Sequence, residues 1–195
     1  MKQARVLTHT EIKRLLRVVS TTKHAARNRL VVMLSYMAGL RACEIAALKV
    51  GDVINELKDG TWEVKTEAVL KSNQTKGNKA QTVVFSSALC KEIAGYYAHS
   101  EETLEMTDLL IYSQKKSGFS SQTIQNLFRE LYEAAAISNA SSHSGRRTFI
   151  TALSEKGVSV RVIQALARHS SLATTQRYID VSADKLRLAV ETVTF

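Results

Sequence analysis

The stretch LARHSSLATTQRYID, residues 166–180, decides how this chain is read. His169 and Tyr178 stand nine positions apart. Nine residues are about two and a half helical turns, so one unbroken helix puts the two on opposite faces. They can serve one reaction only if the helix breaks between them. Ser170-Ser171 is the expected break, with Ser171 capping a new helix that carries Ala173-Thr174-Thr175-Gln176-Arg177-Tyr178.

Upstream, HSGRRTF (143–149) sets His143 and Arg146 three apart, on one helical face. GLRACEIAAL (39–48) places Arg41 just ahead of a short expected helix, 42–48, where backbone amides favour a phosphate. TKGNK (75–79) puts Lys76 at the tip of an expected hairpin, with Lys71 and Lys79 close by. Each pattern alone is weak. A His ends many helices, an Arg beside Arg147 is ordinary surface, and a lysine-rich turn is normally just solvated. Together they supply two arginines, a lysine and two histidines, the set an enzyme gathers around one phosphodiester. Tyr178 is then the candidate nucleophile. The other tyrosines, Tyr36, Tyr96, Tyr97, Tyr112 and Tyr132, sit in apolar patterns or beside an extended segment. No Asp/Glu cluster suited to Mg²⁺ accompanies the set. The chemistry indicated is phosphoryl transfer through a covalent tyrosine, with no metal and no cofactor.

On these residues the chain resembles the tyrosine recombinase (phage integrase) family, from about Leu7 to Tyr178. The family pattern is an Arg in a GLR-x-x-E segment, a hairpin Lys, a His-x-x-Arg, a second His and the nucleophilic Tyr. Arg41, Lys76, His143, Arg146, His169 and Tyr178 match it in order, and Glu44 matches the acid that follows the first Arg by three. Where the family commonly reads Leu-Gly-His, this chain has Ala167-Arg168-His169. Where it often has a His two residues past the Tyr, this chain has Asp180.

The resemblance implies a mainly α fold with a small antiparallel β-sheet (α+β). It implies a site-specific DNA recombinase or integrase that cleaves and rejoins DNA through a 3′-phosphotyrosyl intermediate. Arg41 and Arg146 clamp the phosphate, Lys76 protonates the leaving 5′-oxygen, His143 assists proton transfer, and His169 hydrogen-bonds the phosphate. Glu44 supports Arg41 through a charge-assisted hydrogen bond. Arg147, Arg168, Arg177, Lys71 and Lys79 are candidate DNA contacts. Double-stranded DNA is the expected partner, with a monomer in solution and a homotetramer on DNA. The alternatives are a type IB topoisomerase-like strand cleavage and a DNA-binding regulator without catalysis.

Composition is compatible with this. Twenty-seven Lys and Arg against 18 Asp and Glu leave a net charge of +9, which suits a polyanionic partner. At 195 residues the chain is expected to be a single catalytic domain, 1–195. Residues 1–7 are expected to be a short extension with no core-binding domain ahead of it, the chain being either a naturally short form or a fragment. Residues 181–195 form a tail helix in which Leu186, Val190 and Val193 share a face, either docked in cis or exchanged between subunits. The longest apolar run, 30–40, is too short to span a bilayer, and no signal peptide is visible. Cys43 and Cys90 lack metal spacing and read as reduced thiols in a prokaryotic or phage protein of the cytoplasm.

Helices are expected near 8–19, 24–38, 42–48, 86–98, 121–136, 144–155, 159–168, 172–179 and 183–191. Thr8-His9-Thr10-Glu11 is a capping box and Gly39 a helix stop. Trp62-Glu63-Val64 and 82–85 read as strands, with turn signals at 58–60 and 76–78, and 109–112 as a short extended piece.

Overall fold

The computed structural model describes residues 4–75, 79–100, 104–113, 118–179, 186–187 and 190–191. The chain divides into two compact units, Met1–Phe149 and Ile150–Phe195.

The first unit begins with α1 (His9–Ser20). Thr8 Oγ1 accepts from the Glu11 amide at 3.2 Å, and Glu11 Oε2 accepts from the Thr8 amide at 2.9 Å. This reciprocal pair satisfies two amides that a helix start leaves open. Ile12, Leu15 and Val19 point into the core. α2 (Ala25–Ala38) buries Leu30, Val31, Val32, Leu34, Ser35 and Ala38, which is more than one face. The reason is its place in the unit: α1, α3 (Ala42–Ala47), α5 (Ser87–Ala98) and α6 (Ser121–Ala134) all pack on it. A bidentate pair from Arg29 of α2 to Glu92 of α5, at 2.7 and 2.5 Å, borders that packing.

The β region is two separate hairpins. β1 (Ile54–Glu56) pairs antiparallel with β2 (Trp62–Val64), and β3 (Glu67–Leu70) with β4 (Gln81–Val84). Gly60, at φ +80, turns the first hairpin, and Asp59 Oδ1 accepts from both the amide and hydroxyl of Thr61. In the second hairpin Ala68, Leu70 and Val83 are buried while Val69 and Val84 are exposed, the alternation expected of a sheet with one wet face. The single helical turn α4 (Val50–Val53) precedes β1. Leu109 bridges antiparallel to Lys49, and Leu110 and Ile111 are fully buried, so this segment is extended as its sequence suggests.

α7 (Ser144–Glu155) starts in the first unit and continues into the second. There it ends at Glu155; Gly157, just past it, takes φ +74, and the Val158 amide reaches back to Leu153 O at 3.1 Å. α8 (Val160–Ala167) is capped by Ser159, and α9 (Leu172–Gln176) follows. Of the tail, only 186–187 and 190–191 are described; they are helical, with Leu186 and Val190 exposed. The rest of the expected tail helix lies outside the described residues. Among the described residues no helix is long and apolar enough to cross a membrane.

Candidate active site

Arg41 stands at the N-cap of α3, where the chain leaves α2 through Gly39. Gly39 holds the left-handed conformation, φ 61 and ψ 28. A Cβ there would meet Phe149 Cδ1 at 2.7 Å, so both the backbone and the space require glycine. Glu44, fully buried, takes the Arg41 amide on Oε2 at 2.9 Å and Arg41 Nη1 on Oε1 at 2.5 Å. One carboxylate therefore fixes both the backbone and the head of Arg41. The amide that could have met a phosphate is already used.

His143 and Arg146 sit at the start of α7. Two serines shape the approach. The Ser141 amide donates to Ser144 Oγ at 3.0 Å, and the Ser144 amide to Ser141 O at 2.8 Å. His143 is exposed. Arg146 is only 5% exposed, and its Nη1 donates to Gly39 O at 2.6 Å. That carbonyl lies two residues before Arg41. The two arginines, 105 positions apart in sequence, are thus anchored on one bend of the chain.

This geometry depends on close packing. A Cβ on Gly145 would lie 2.6 Å from Ser35 Oγ of α2. The Tyr132 hydroxyl meets the backbone of Gly145, and burial pushes its pKa well up. Thr148 Oγ1 donates to Ser144 O at 2.8 Å and accepts from the Leu7 amide at 2.9 Å. The segment ahead of α1 is thereby tied to the turn that presents His143 and Arg146.

Lys76 lies outside the described residues, but both sides of its segment are defined. Gln74 donates from Nε2 to Ala47 O and Asp52 Oδ2, each at 2.7 Å, and accepts from the Lys71 amide at 2.6 Å. Thr75 Oγ1 donates to Lys79 O at 2.8 Å and accepts from the Lys79 amide at 3.3 Å, spanning residues 76–78. Lys71 and Lys79 are exposed.

In the second unit the helix does break, but it ends ahead of His169, earlier than the serines suggest. α8 stops at Ala167, and Arg168 takes φ 54 and ψ 46. This left-handed conformation costs a residue with a Cβ roughly 1–2 kcal/mol, which a glycine escapes. Arg168 is 7% exposed and its Nη1 donates to Leu166 O at 3.0 Å. Ser171 occupies the N-cap of α9 without a side-chain hydrogen bond to the helix. α9 itself ends at Gln176, short of the expected 179. The outcome of the break is the required one. The rings of His169 and Tyr178 stack with centroids 5.8 Å apart at 23°, and His169 Nδ1 lies 2.9 Å from Thr175 Oγ1. Arg177 is exposed beside them.

The phage integrase family model matches residues 5–185. The chain belongs to the phage integrase family. The tyrosine recombinase XerA of Pyrococcus furiosus is 33% identical over 187 residues, which are 95% of this chain and 60% of the relative. The tyrosine recombinase XerD of Neisseria meningitidis serogroup A is 32% identical over 181 residues, 91% of this chain and 58% of the relative. The crystal structure of XerA recombinase superposes with a TM-score of 0.74 at 25% identity, over 98% of this chain and 64% of that one. The mostly helical architecture with small antiparallel sheets is the fold of that structure. The chain spans about 60% of the length of the curated relatives it matches.

In this phage integrase family member, several supporting residues lie outside the motif positions that sequence reading singled out. Gly145, Tyr132, Thr148, Gln74 and Thr75 each hold a backbone segment that carries a motif residue. Gly145 sits inside HSGR and could have been flagged by its place in a helix start. Thr148 could not, since its partner Leu7 is 141 positions away.

Proposed function

We propose that this chain is the catalytic part of a site-specific DNA recombinase. Arg41 and Arg146 neutralise the non-bridging oxygens of one DNA phosphate, and His169 donates a hydrogen bond to it. Tyr178 Oη attacks the phosphorus and its proton leaves with the help of His143. The bond from phosphorus to the 5′-oxygen breaks, and Lys76 protonates that oxygen. The products are a 3′-phosphotyrosyl bond and a 5′-hydroxyl. The reverse attack by a 5′-hydroxyl of another strand reseals DNA without ATP, because the phosphotyrosine conserves the bond energy. Positive charge placed where the transition state becomes more negative supplies the catalysis.

The observation that carries this reading is the seating of Arg146 on the carbonyl of Gly39, beside Arg41. Two guanidinium groups brought to one bend, one of them 5% exposed, suit a dianionic transition state better than a solvated surface. The exposed Arg177, Lys71 and Lys79, the half-buried Arg147 and the buried Arg168 are the DNA-contact candidates.

Assembly is part of the same proposal: a monomer in solution and a homotetramer on two DNA sites, with the tail helix exchanged between subunits. Exposure of Leu186 and Val190 supports it, because a short helix persists only when docked. Truncation after Asp180 should spare binding to a single site and abolish recombination; a truncated chain that recombines normally overturns the exchange.

The test of the activity is a nicked suicide substrate in EDTA. The chain should form an SDS-resistant adduct with the strand that ends in the 3′-phosphate, leaving a free 5′-hydroxyl on the other. No adduct, with DNA binding intact, supports a regulator without catalysis. Relaxation of supercoils lacking recombination sites supports the topoisomerase reading.

A further inference from the structure

We propose that Thr175 is a positioning residue that sets the tautomer of His169 and couples that ring to Tyr178, an inference that rests on the reaction proposed above. Thr175 is fully buried, and His169 Nδ1 lies 2.9 Å from its Oγ1. Among the described residues its side chain makes no other hydrogen bond. Its carbonyl accepts from the Tyr178 amide at 3.0 Å. One residue thus holds the histidine by its side chain and the tyrosine by its backbone.

The energetics decide the direction of the side-chain bond. Leaving the proton of a buried hydroxyl without an acceptor is destabilising. For Thr175 the acceptor within reach is Nδ1. In the neutral ring the hydroxyl therefore donates to Nδ1, and the ring's own proton sits on Nε2. In the charged ring Nδ1–H donates and the hydroxyl oxygen accepts, so Nε2 again carries a proton. Nε2 presents a donor in both states, which is the polarity that contact with a phosphate oxygen requires. Valine has the same outline without the hydroxyl. It admits the opposite tautomer, which turns a lone pair toward the phosphate.

The tie to Tyr178 adds a geometric consequence. Thr175 and Tyr178 are three positions apart, on one face of a helical turn, and the stacked ring lies alongside them. Displacing Thr175 moves both rings together.

The experiment uses the full chain with ¹⁵N-labelled histidine. Long-range ¹H–¹⁵N spectra, taken well above the ordinary imidazole pKa of about 6.5, report which nitrogen of His169 is protonated. The wild-type protein should show the Nε2–H form, Thr175→Ser the same, and Thr175→Val a mixture or the Nδ1–H form. Single-turnover cleavage at saturating DNA should fall about tenfold to a hundredfold in Thr175→Val and recover in Thr175→Ser, with DNA affinity unchanged. That loss is smaller than the roughly 10²–10³ for deleting a transition-state donor outright. A wild-type Nδ1–H spectrum overturns the proposal without any variant. A Thr175→Val protein with the wild-type tautomer, or with wild-type cleavage, also overturns it. Absence of adduct from the wild-type chain refutes the reaction instead, and the tautomer spectrum is read independently.

Discussion

Arg146 donates through Nη1 to the carbonyl of Gly39 at 2.6 Å, and this hydrogen bond joins the first turn of α7 to the bend that presents Arg41. The acceptor belongs to a glycine in the left-handed conformation, so its direction is set by the end of α2. Arg146 is held by the protein through Nη1, and the reaction proposed above asks the same guanidinium to meet a phosphate.

Arg146→Lys should therefore fail at both tasks. An ammonium is a point charge without a planar fork and cannot serve the carbonyl and a phosphate in the same geometry. Single-turnover cleavage is expected to fall on the order of 10²–10³-fold, with DNA affinity changed far less. Comparable losses in affinity and rate would assign Arg146 to binding alone.

Arg41→Ala removes a charged partner of a carboxylate with no solvent exposure. Breaking a buried pair costs up to about 3–5 kcal/mol, so this variant should lose stability as well as activity. Arg41→Ala combined with Glu44→Gln should recover most of the stability and none of the cleavage. Chemical denaturation read beside adduct formation separates the two effects.

Thr148→Val leaves the Leu7 amide buried without an acceptor. The expected destabilisation is about 1–3 kcal/mol, and Thr148→Ser should restore it. Equal unfolding midpoints for wild type and Thr148→Val would show that the tie carries no weight.

Burial raises the pKa of Tyr132 above its ordinary 10.0, and the same cause acts on Tyr96. The folded state then favours the protonated phenol more than the unfolded state does. Its contribution is whole below about pH 10 and is lost as pH rises above it. Unfolding free energy measured between about pH 9 and 11 should decline in the wild type. The decline should be shallower in Tyr132→Phe, with Tyr96→Phe removing a further share.

Much of the fold was legible because its signals are local. The Thr8–Glu11 box and Gly39 mark helix ends within four residues, and α1, α2, α5, α6 and α8 fall within a few residues of their expected bounds. The partner strands were not legible. β1 is three residues, Ile-Asn-Glu, too short and polar for a period of two to register, so two hairpins read as one sheet. The helix break that brings His169 and Tyr178 together was legible as a requirement but not in place. Serines signal a cap, whereas the chain turns at Arg168, whose left-handed backbone no side-chain preference announces. The Arg41–Glu44 pair follows from a spacing of three. The contacts of Arg146 with Gly39 and Thr148 with Leu7 join positions more than a hundred apart and come only from packing.

Binding should weaken steeply with salt. With about six phosphate contacts, the slope of log K against log salt concentration is about −5, near −0.9 per contact. Replacing exposed Arg177 by Ala should make the slope shallower by about one unit. A wild-type slope near zero would remove DNA as the main partner.

The most direct test of the central claim is to locate the covalent bond. After reaction with a suicide substrate in EDTA, nuclease and trypsin digestion should leave a nucleotide remnant on the peptide that begins at Tyr178, as identified by mass spectrometry. That mass is expected on Tyr178 and is expected to be absent from Tyr178→Phe, which should still bind DNA. A remnant on any other residue, or an adduct that survives Tyr178→Phe, would contradict it.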